Sequence, residues 1–257
     1  MADLIPLPHT AKGRKGPPIV AIHGFGGDRT AYTDMLPELA KMRRTIALDL
    51  PGHGAAATWP EPPDAGACAK AVIDTLDALK IPTATLLGHS LGGAVSSIVG
   101  LMRPDLVERL ILLAPGGFGE AMNSRLLRRF AAARTEAEIA PVMETFFGPA
   151  KPLPDNLVAE TAKARQEDVL HASHQAVVKK ITRGDGQGTL PLTKLAAQPF
   201  PITLIWGDQD YALPFSQCLA APPEMARHLL PGVGHFPQLE APELVMRIIT
   251  QTITGRA

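Results

Sequence analysis

The chain has 257 residues, enough for one large domain with a well-buried core or one domain carrying an insertion. Its 25 basic and 25 acidic residues cancel, which excludes a global electrostatic pull toward nucleic acid or an anionic membrane. Its two cysteines, Cys68 and Cys218, lie far apart in amphipathic helical stretches, form no zinc pattern, and read as reduced, semi-buried residues.

The N-terminal stretch Met1-Ala2-Asp3-Leu4-Ile5-Pro6 has neither the basic start nor the long apolar core of a signal peptide. No apolar run reaches membrane-spanning length, so a soluble, cytoplasmic protein is the expectation. The first buried strand is Ile19–Ile22, an unbroken apolar run of the kind covered on both faces in a parallel sheet. It opens into His23-Gly24-Phe25-Gly26-Gly27, and a helical pattern follows at about residues 31–42. A second strand, Thr45–Leu48, leads into Asp49-Leu50-Pro51-Gly52-His53-Gly54. Helical spacing returns over 65–79, with apolar residues at Ala65, Cys68, Ala69, Val72, Leu76 and Leu79. A third strand over 85–87 runs into Gly88-His89-Ser90-Leu91-Gly92-Gly93, and Ala94, Val95, Ile98 and Leu101 predict a helix over 91–102. Residues 110–113 read as the next strand.

From about residue 115 to 201 the alternation breaks. The segment is too long for a connecting loop and carries helical patterns over 123–133, 135–147 and 155–182. An insertion at the C-terminal end of a sheet strand reads as a helical lid over 115–201, with the core built from 1–114 and 202–257. Met122, Phe130, Met143, Phe146 and Phe147 are available for a pocket roof; the simpler alternative is that most of them pack the insertion onto the core. Arg125, Arg128 and Arg129 fall at helical spacing and read as a solvated face. His171 and His174 read as surface or interface residues, and residues 184–188 (Gly-Asp-Gly-Gln-Gly) as a flexible return loop. A strand over 202–205, a weaker one over 227–230 and a last helix over 240–253 restore the rhythm. Alternating strands and helices predict an α/β fold, a right-handed, doubly wound, mostly parallel sheet with a helical lid insertion.

The strand, tight glycine turn and helix around Ser90 are what a nucleophile elbow requires. A serine hydroxyl is a weak nucleophile and needs a positioned base. Of the eight histidines, His235 has the best context, in Gly234-His235-Phe236-Pro237 just after the last strand. Two aspartates that could orient it, Asp208 and Asp210, follow the strand ending at Trp206. The chain order would be Ser, Asp, His. Backbone N–H groups of Leu91, after the nucleophile, and of Phe25, on the glycine loop after the first strand, are the expected oxyanion hole. That loop lacks both GxGxxG spacing and a P-loop Lys-Ser/Thr, so a phosphate-binding reading is weak. His23, His53 and His89 lie on three loops of one sheet edge, yet no carboxylate or cysteine spacing completes a metal site. His23 and His53 are expected to fix loop geometry and His89 to pack beside the elbow. No cofactor and no metal are expected.

On these stretches, together with Gly207 through Pro214, the chain resembles the α/β-hydrolase superfamily over nearly its whole length. The resemblance implies Ser90 and His235 as catalytic residues. The family's spacing of a glycine, an aspartate three residues on and a proline four beyond is met by Gly207, Asp210 and Pro214, which selects Asp210. The loops are similar to the acyltransferase component of acetoin dehydrogenase complexes, through His23-Gly24-Phe25-Gly26-Gly27-Asp28 and Ala114-Pro115-Gly116-Gly117-Phe118-Gly119. Those components carry an N-terminal lipoyl domain, whereas only about 18 residues precede the first buried strand here. Stand-alone hydrolysis is therefore expected over transfer from lipoamide, with a shortened first hairpin.

Enol-lactonases and C–C bond hydrolases are similar over fewer motifs. What the resemblance implies is a serine hydrolase for a small carboxylic ester, thioester or lactone. His89, Phe118, Met122, Phe146 and Phe236 are its candidate pocket residues. Acyl transfer to coenzyme A or another thiol, C–C bond hydrolysis and a non-catalytic ligand-binding role are the alternatives. Dehalogenases and epoxide hydrolases place an aspartate where this chain has Ser90. The expected partner is a small acyl substrate, with no nucleic acid and no membrane; no oligomeric state follows.

Overall fold

The computed structural model describes residues 5–14, 16–149 and 151–255. Seven strands form one sheet: β1 (His9–Lys12), β2 (Ile19–Ile22), β3 (Thr45–Leu48), β4 (Ala84–His89), β5 (Val107–Leu113), β6 (Ile202–Gly207) and β7 (Ala226–Leu230). Their order is β1-β3-β2-β4-β5-β6-β7. Every pairing is parallel except that of β1 with β3. The chain leaves β2 outward to β3 and returns to β4 on its other side. The crevice at the carboxyl ends of β2 and β4, where strand order reverses, is where ligands bind in open α/β sheets.

The helices that cover the sheet follow from strand periodicity, because successive side chains point to opposite faces. Val20, Ile22, Ile46, Leu48, Leu86 and Leu112 face one buried layer, shared with α2 (Ala65–Ala78) and α3 (Leu91–Met102). Ile19, Ala21, Ala47, Leu87 and Ile111 face the other, shared with α1 (Leu36–Met42) and the helix that ends the chain, Pro242–Thr254. Strands sandwiched this way are nearly continuous in apolar residues, and β2, β3 and β4 are buried throughout.

Five helices lie between β5 and β6: α4 (Ser124–Ala132), α5 (Glu136–Glu144), α6 (Asp155–Ala164), α7 (Asp168–Ile181) and α8 (Leu192–Ala196). Leu126, Phe130, Ile139, Val142, Met143, Phe146 and Val178 give this segment a buried cluster of its own. The single helix expected over 155–182 is two. The break comes from tertiary contacts: Arg134 donates to the carbonyls of Arg165 and Gln166 at 3.2 and 3.1 Å, taking up helix-end acceptors. After β6 come α9 (Ser216–Leu219), α10 (Pro237–Glu240) and α11 (Pro242–Thr254). No helix among the described residues is long and apolar enough to cross a membrane.

Two further expectations change. Cys68 and Cys218 are fully buried rather than semi-buried, and desolvation pushes their thiols up to about 12 and about 11, which keeps them protonated. His174 is buried, not a surface residue.

Backbone packs closely against backbone under the elbow. A Cβ at Gly92 would meet the carbonyl oxygen of Ile22 at 2.2 Å, and one at Gly88 would meet that of Gly92 at 2.3 Å. Backbone cannot move aside as a side chain can. Gly92→Ala is therefore expected to destabilise the fold by at least about 3 kcal/mol, read as a drop in the urea midpoint with the m-value unchanged.

Candidate active site

Ser90 stands between β4 and α3 with φ 52° and ψ −113°, a left-handed conformation that L-residues rarely adopt. Such strain persists only where the surroundings impose it. Here the Ser90 N–H donates to the Leu113 carbonyl at 3.0 Å, and the Ser90 carbonyl accepts from Gly93, Ala94 and Gly116. The turn is thus locked to the end of β5, and the hydroxyl projects into the crevice.

His235 comes to Ser90 from the loop after β7. Its Nε2 lies 3.0 Å from Ser90 Oγ and its Nδ1 2.8 Å from Asp210 Oδ2. A carboxylate can only accept, so Nδ1 carries the proton and Nε2 is left to accept from the serine hydroxyl. The Asp210 side chain is fully buried. Its Oδ2 also accepts from Trp206 Nε1 at 3.0 Å, and its Oδ1 from the Ala212 and Leu213 N–H groups at 2.9 Å each. Four donors hold one carboxylate in one orientation. Asp208 is employed elsewhere: its Oδ1 accepts from the Gly232 N–H at 2.8 Å and holds the turn that follows β7.

The histidine loop is itself pinned by a residue with no sequence signal. Glu240 is buried, and its Oε2 accepts from the N–H groups of Gly148 and Gly234 at 2.7 Å while Oε1 accepts from that of Phe236 at 3.0 Å. His235 N donates to the Phe146 carbonyl at 2.7 Å. His89 Nε2 donates to the His235 carbonyl at 2.8 Å. Glu240 ends the short helix α10, and only the meeting of two loops above it reveals the three donors.

Phe25 and Leu91 line the cavity at Ser90 with it. Leu91 opens α3, so its N–H has no intrahelical partner. Among the described residues no acceptor is bonded to the Phe25 N–H. His23 shapes that loop, donating from Nδ1 to the Gly24 carbonyl at 2.7 Å and accepting at Nε2 from the Leu50 N–H at 3.0 Å. Two free donors near one hydroxyl, at the positive end of a helix, suit a developing oxyanion.

Two cavities meet at Ser90. One of about 30 Å³ includes His89, Phe146, His235 and Phe236. Another of about 210 Å³ runs along Leu91, Ala94, Ile98 and Ile181. Met122 lines both. Phe118 lines neither: it packs in the core, edge-on to Trp206 with ring centroids 6.3 Å apart. Leu127, Gln187, Leu190 and Leu213 are lining residues that no pattern in the sequence singled out.

Behind the Phe25 loop lies a buried cluster that unites His53, His174 and Arg165. The His53 and His174 rings are 4.9 Å apart, and Phe25 packs edge-on to both. Arg165 donates to the carbonyls of Phe130 and Ala131 at 3.2 and 3.1 Å and lies 4.8 Å over the Phe130 ring. Its other terminal nitrogen, both His174 nitrogens and His53 Nε2 have no hydrogen-bond partner among the described residues. Desolvation lowers the guanidinium to about 10 and His53 to about 3, and it holds His174 well below the usual histidine range. No group of three or more histidines, cysteines and carboxylates among the described residues is placed to hold a metal ion.

A pH dependence follows with a definite sign. His174 is depressed first by burial and then by the nearby charges of His53, Arg165, His23 and His171. The unfolded chain therefore binds more protons once pH falls below about 6.5, and stability present above that value is lost as pH drops toward the folded pKa. Melting temperature is expected to fall steadily below about pH 6.5. His174→Phe should flatten that limb by up to about 1.4 kcal/mol per pH unit. An unchanged acid limb in the variant would refute the assignment.

A family model described as the alpha/beta hydrolase family matches residues 19–248. The dihydrolipoyllysine-residue acetyltransferase component of the acetoin cleaving system of Pseudomonas putida is 36% identical over 233 residues. That alignment covers 91% of this chain but 62% of the relative, so the chain spans under two thirds of that protein's length. A 2-hydroxymuconate semialdehyde hydrolase of Pseudomonas sp. (strain CF600) is 28% identical over 237 residues, covering 88% of this chain and 82% of the relative. Among solved structures, a meta-cleavage product hydrolase from Pseudomonas fluorescens IP01 superposes with a TM-score of 0.86 at 20% identity, over 97% of this chain and 94% of that one.

Proposed function

The chain belongs to the alpha/beta hydrolase family, and from that premise we propose that it is a serine hydrolase acting on a small carboxylic ester, thioester or lactone through an acyl-enzyme on Ser90. The observation that carries this reading is the hydrogen-bonded line from Ser90 through His235 to Asp210, at 3.0 and 2.8 Å, beside two unbonded backbone donors. His235 Nε2 takes the hydroxyl proton as Ser90 Oγ attacks the substrate carbonyl. Charge gathers on the carbonyl oxygen, facing the N–H groups of Phe25 and Leu91. Asp210 stabilises the imidazolium without taking its proton. His235 then gives that proton to the leaving oxygen or sulfur, and the C–O or C–S bond breaks. Water enters, loses a proton to the same nitrogen and releases the acid, restoring Ser90. In this reading the helical segment over 115–201 is a lid, and no cofactor takes part.

Acyl transfer to a thiol such as coenzyme A is the second reading, favoured by the acetyltransferase relative. It uses the same acyl-enzyme and differs only in what relieves it. Intact-protein mass spectrometry after mixing with alkyl esters, p-nitrophenyl esters and acyl thioesters, with and without coenzyme A, separates the two. An acyl mass on Ser90 that decays to free acid supports hydrolysis; decay to a coenzyme A thioester supports transfer. A chain that takes no acyl mass and resists a fluorophosphonate is not a serine hydrolase.

A further inference from the structure

The two cavities are unequal, and His235 lines only one of them. The small one, about 30 Å³, is walled by His89, Phe130, Phe146, His235 and Phe236. The large one, about 210 Å³, is walled by Leu91, Ala94, Ile98, Ile181 and Leu190 and excludes His235. Ser90, Phe25, Met122, Leu127 and Leu213 belong to both, so the cavities are two arms that join at the nucleophile.

The chemistry assigns the arms. An alkoxide leaves only if it is protonated as the C–O bond breaks, and the proton comes from His235 Nε2. The leaving group must therefore lie in the small arm and the acyl portion in the large one. At roughly 10–15 Å³ for a water, the small arm holds about two. It admits a small alkoxyl group and afterwards the water that releases the acid. The large arm is mostly aliphatic where it leaves Ser90, which suits a hydrocarbon chain. Lys180 and Arg183 also line the large arm, both exposed and neither in an ion pair among the described residues. The lining carboxylate, Asp64, is engaged as the cap of α2, accepting from the Ala67 N–H at 2.8 Å.

Resting on the hydrolase reading, we propose that the substrate is a small-alcohol ester, methyl or ethyl, of an apolar acid whose far end carries an anionic group. Ester cleavage takes one water and yields the acid and the alcohol. The carboxylate or phosphate at the far end meets Lys180 and Arg183 in the large arm.

Two series of unactivated esters, followed by proton release, test the assignment on the wild-type chain. In the first, methyl acetate, butanoate, hexanoate and octanoate are compared, and kcat/KM should rise with the acyl chain. In the second, methyl, butyl and benzyl hexanoate are compared, and kcat/KM should fall by about tenfold or more from methyl to butyl, because one surplus methylene in a filled pocket already costs that much. Monomethyl suberate should be preferred to methyl octanoate by about fivefold at low salt, an effect that fades with added salt. In a Lys180→Ala, Arg183→Ala double variant that ratio should approach one.

Butyl and benzyl esters cleaved as fast as methyl esters, or rates that fall as the acyl chain grows, would overturn the arm assignment. No preference for the monoanionic ester would remove the anion. Fluorophosphonate labelling of Ser90 with no ester cleaved would instead overturn the ester-hydrolase reading itself, and the proposal with it.

Discussion

Replacing Ser90 with alanine is expected to lower kcat by about a millionfold, the scale seen when the nucleophile of such a unit is removed. The acyl mass on the protein should vanish with it. The fold should stay intact for three reasons visible in the site. Alanine keeps the Cβ and so neither relieves nor adds to the strain at φ 52°. Ser90 caps no helix with its side chain, so no cap is lost. The turn is held by its backbone, through the Leu113 carbonyl and the N–H groups of Gly93, Ala94 and Gly116. The melting curve of the variant should thus overlay that of the parent chain. Turnover within tenfold of the parent would mean that another group attacks the substrate.

Asp210→Asn should cost about 10⁴ in kcat. The amide has the same shape, and its oxygen still accepts from the Ala212 and Leu213 N–H groups. Its NH2 group, however, now faces His235 Nδ1 and donates to it. The proton of the neutral ring is then carried on Nε2, which faces Ser90 Oγ and can no longer accept. Asp208→Asn is the control, because Asp208 bonds the Gly232 N–H and never reaches the histidine. Stopped assays on both variants, with KM determined for each, check the assignment. A large loss in Asp208→Asn with little in Asp210→Asn would reverse the roles of the two acids.

The parallel strands were legible because burial on both faces writes them as unbroken apolar runs, and Ile19–Ile22 and Thr45–Leu48 match to the residue. Strand β1 was not, because His9–Lys12 is a short edge strand, mostly exposed, that earns no apolar pattern. The residues at Ser90, Asp210 and His235 stood out because glycines and strand ends around them satisfy backbone constraints that sequence records directly. Contacts formed only by folding left no such mark. The split between α6 and α7 depends on Arg134 reaching the Arg165 and Gln166 carbonyls. The burial of His174 depends on His53 and Phe25 arriving from distant loops. Phe118 followed the motif that bears it into the expected pocket, whereas its ring turns inward to Trp206.

Glu240 reaches further than its three hydrogen bonds suggest. It joins Gly148, at the end of the α4–α5 stretch, to Gly234 and Phe236 on either side of the histidine. Each amide lost leaves this buried carboxylate less satisfied, so the three contacts favour holding the two loops as one unit. Loosening of this junction would carry His235 away from Ser90 and break the 3.0 Å contact between them.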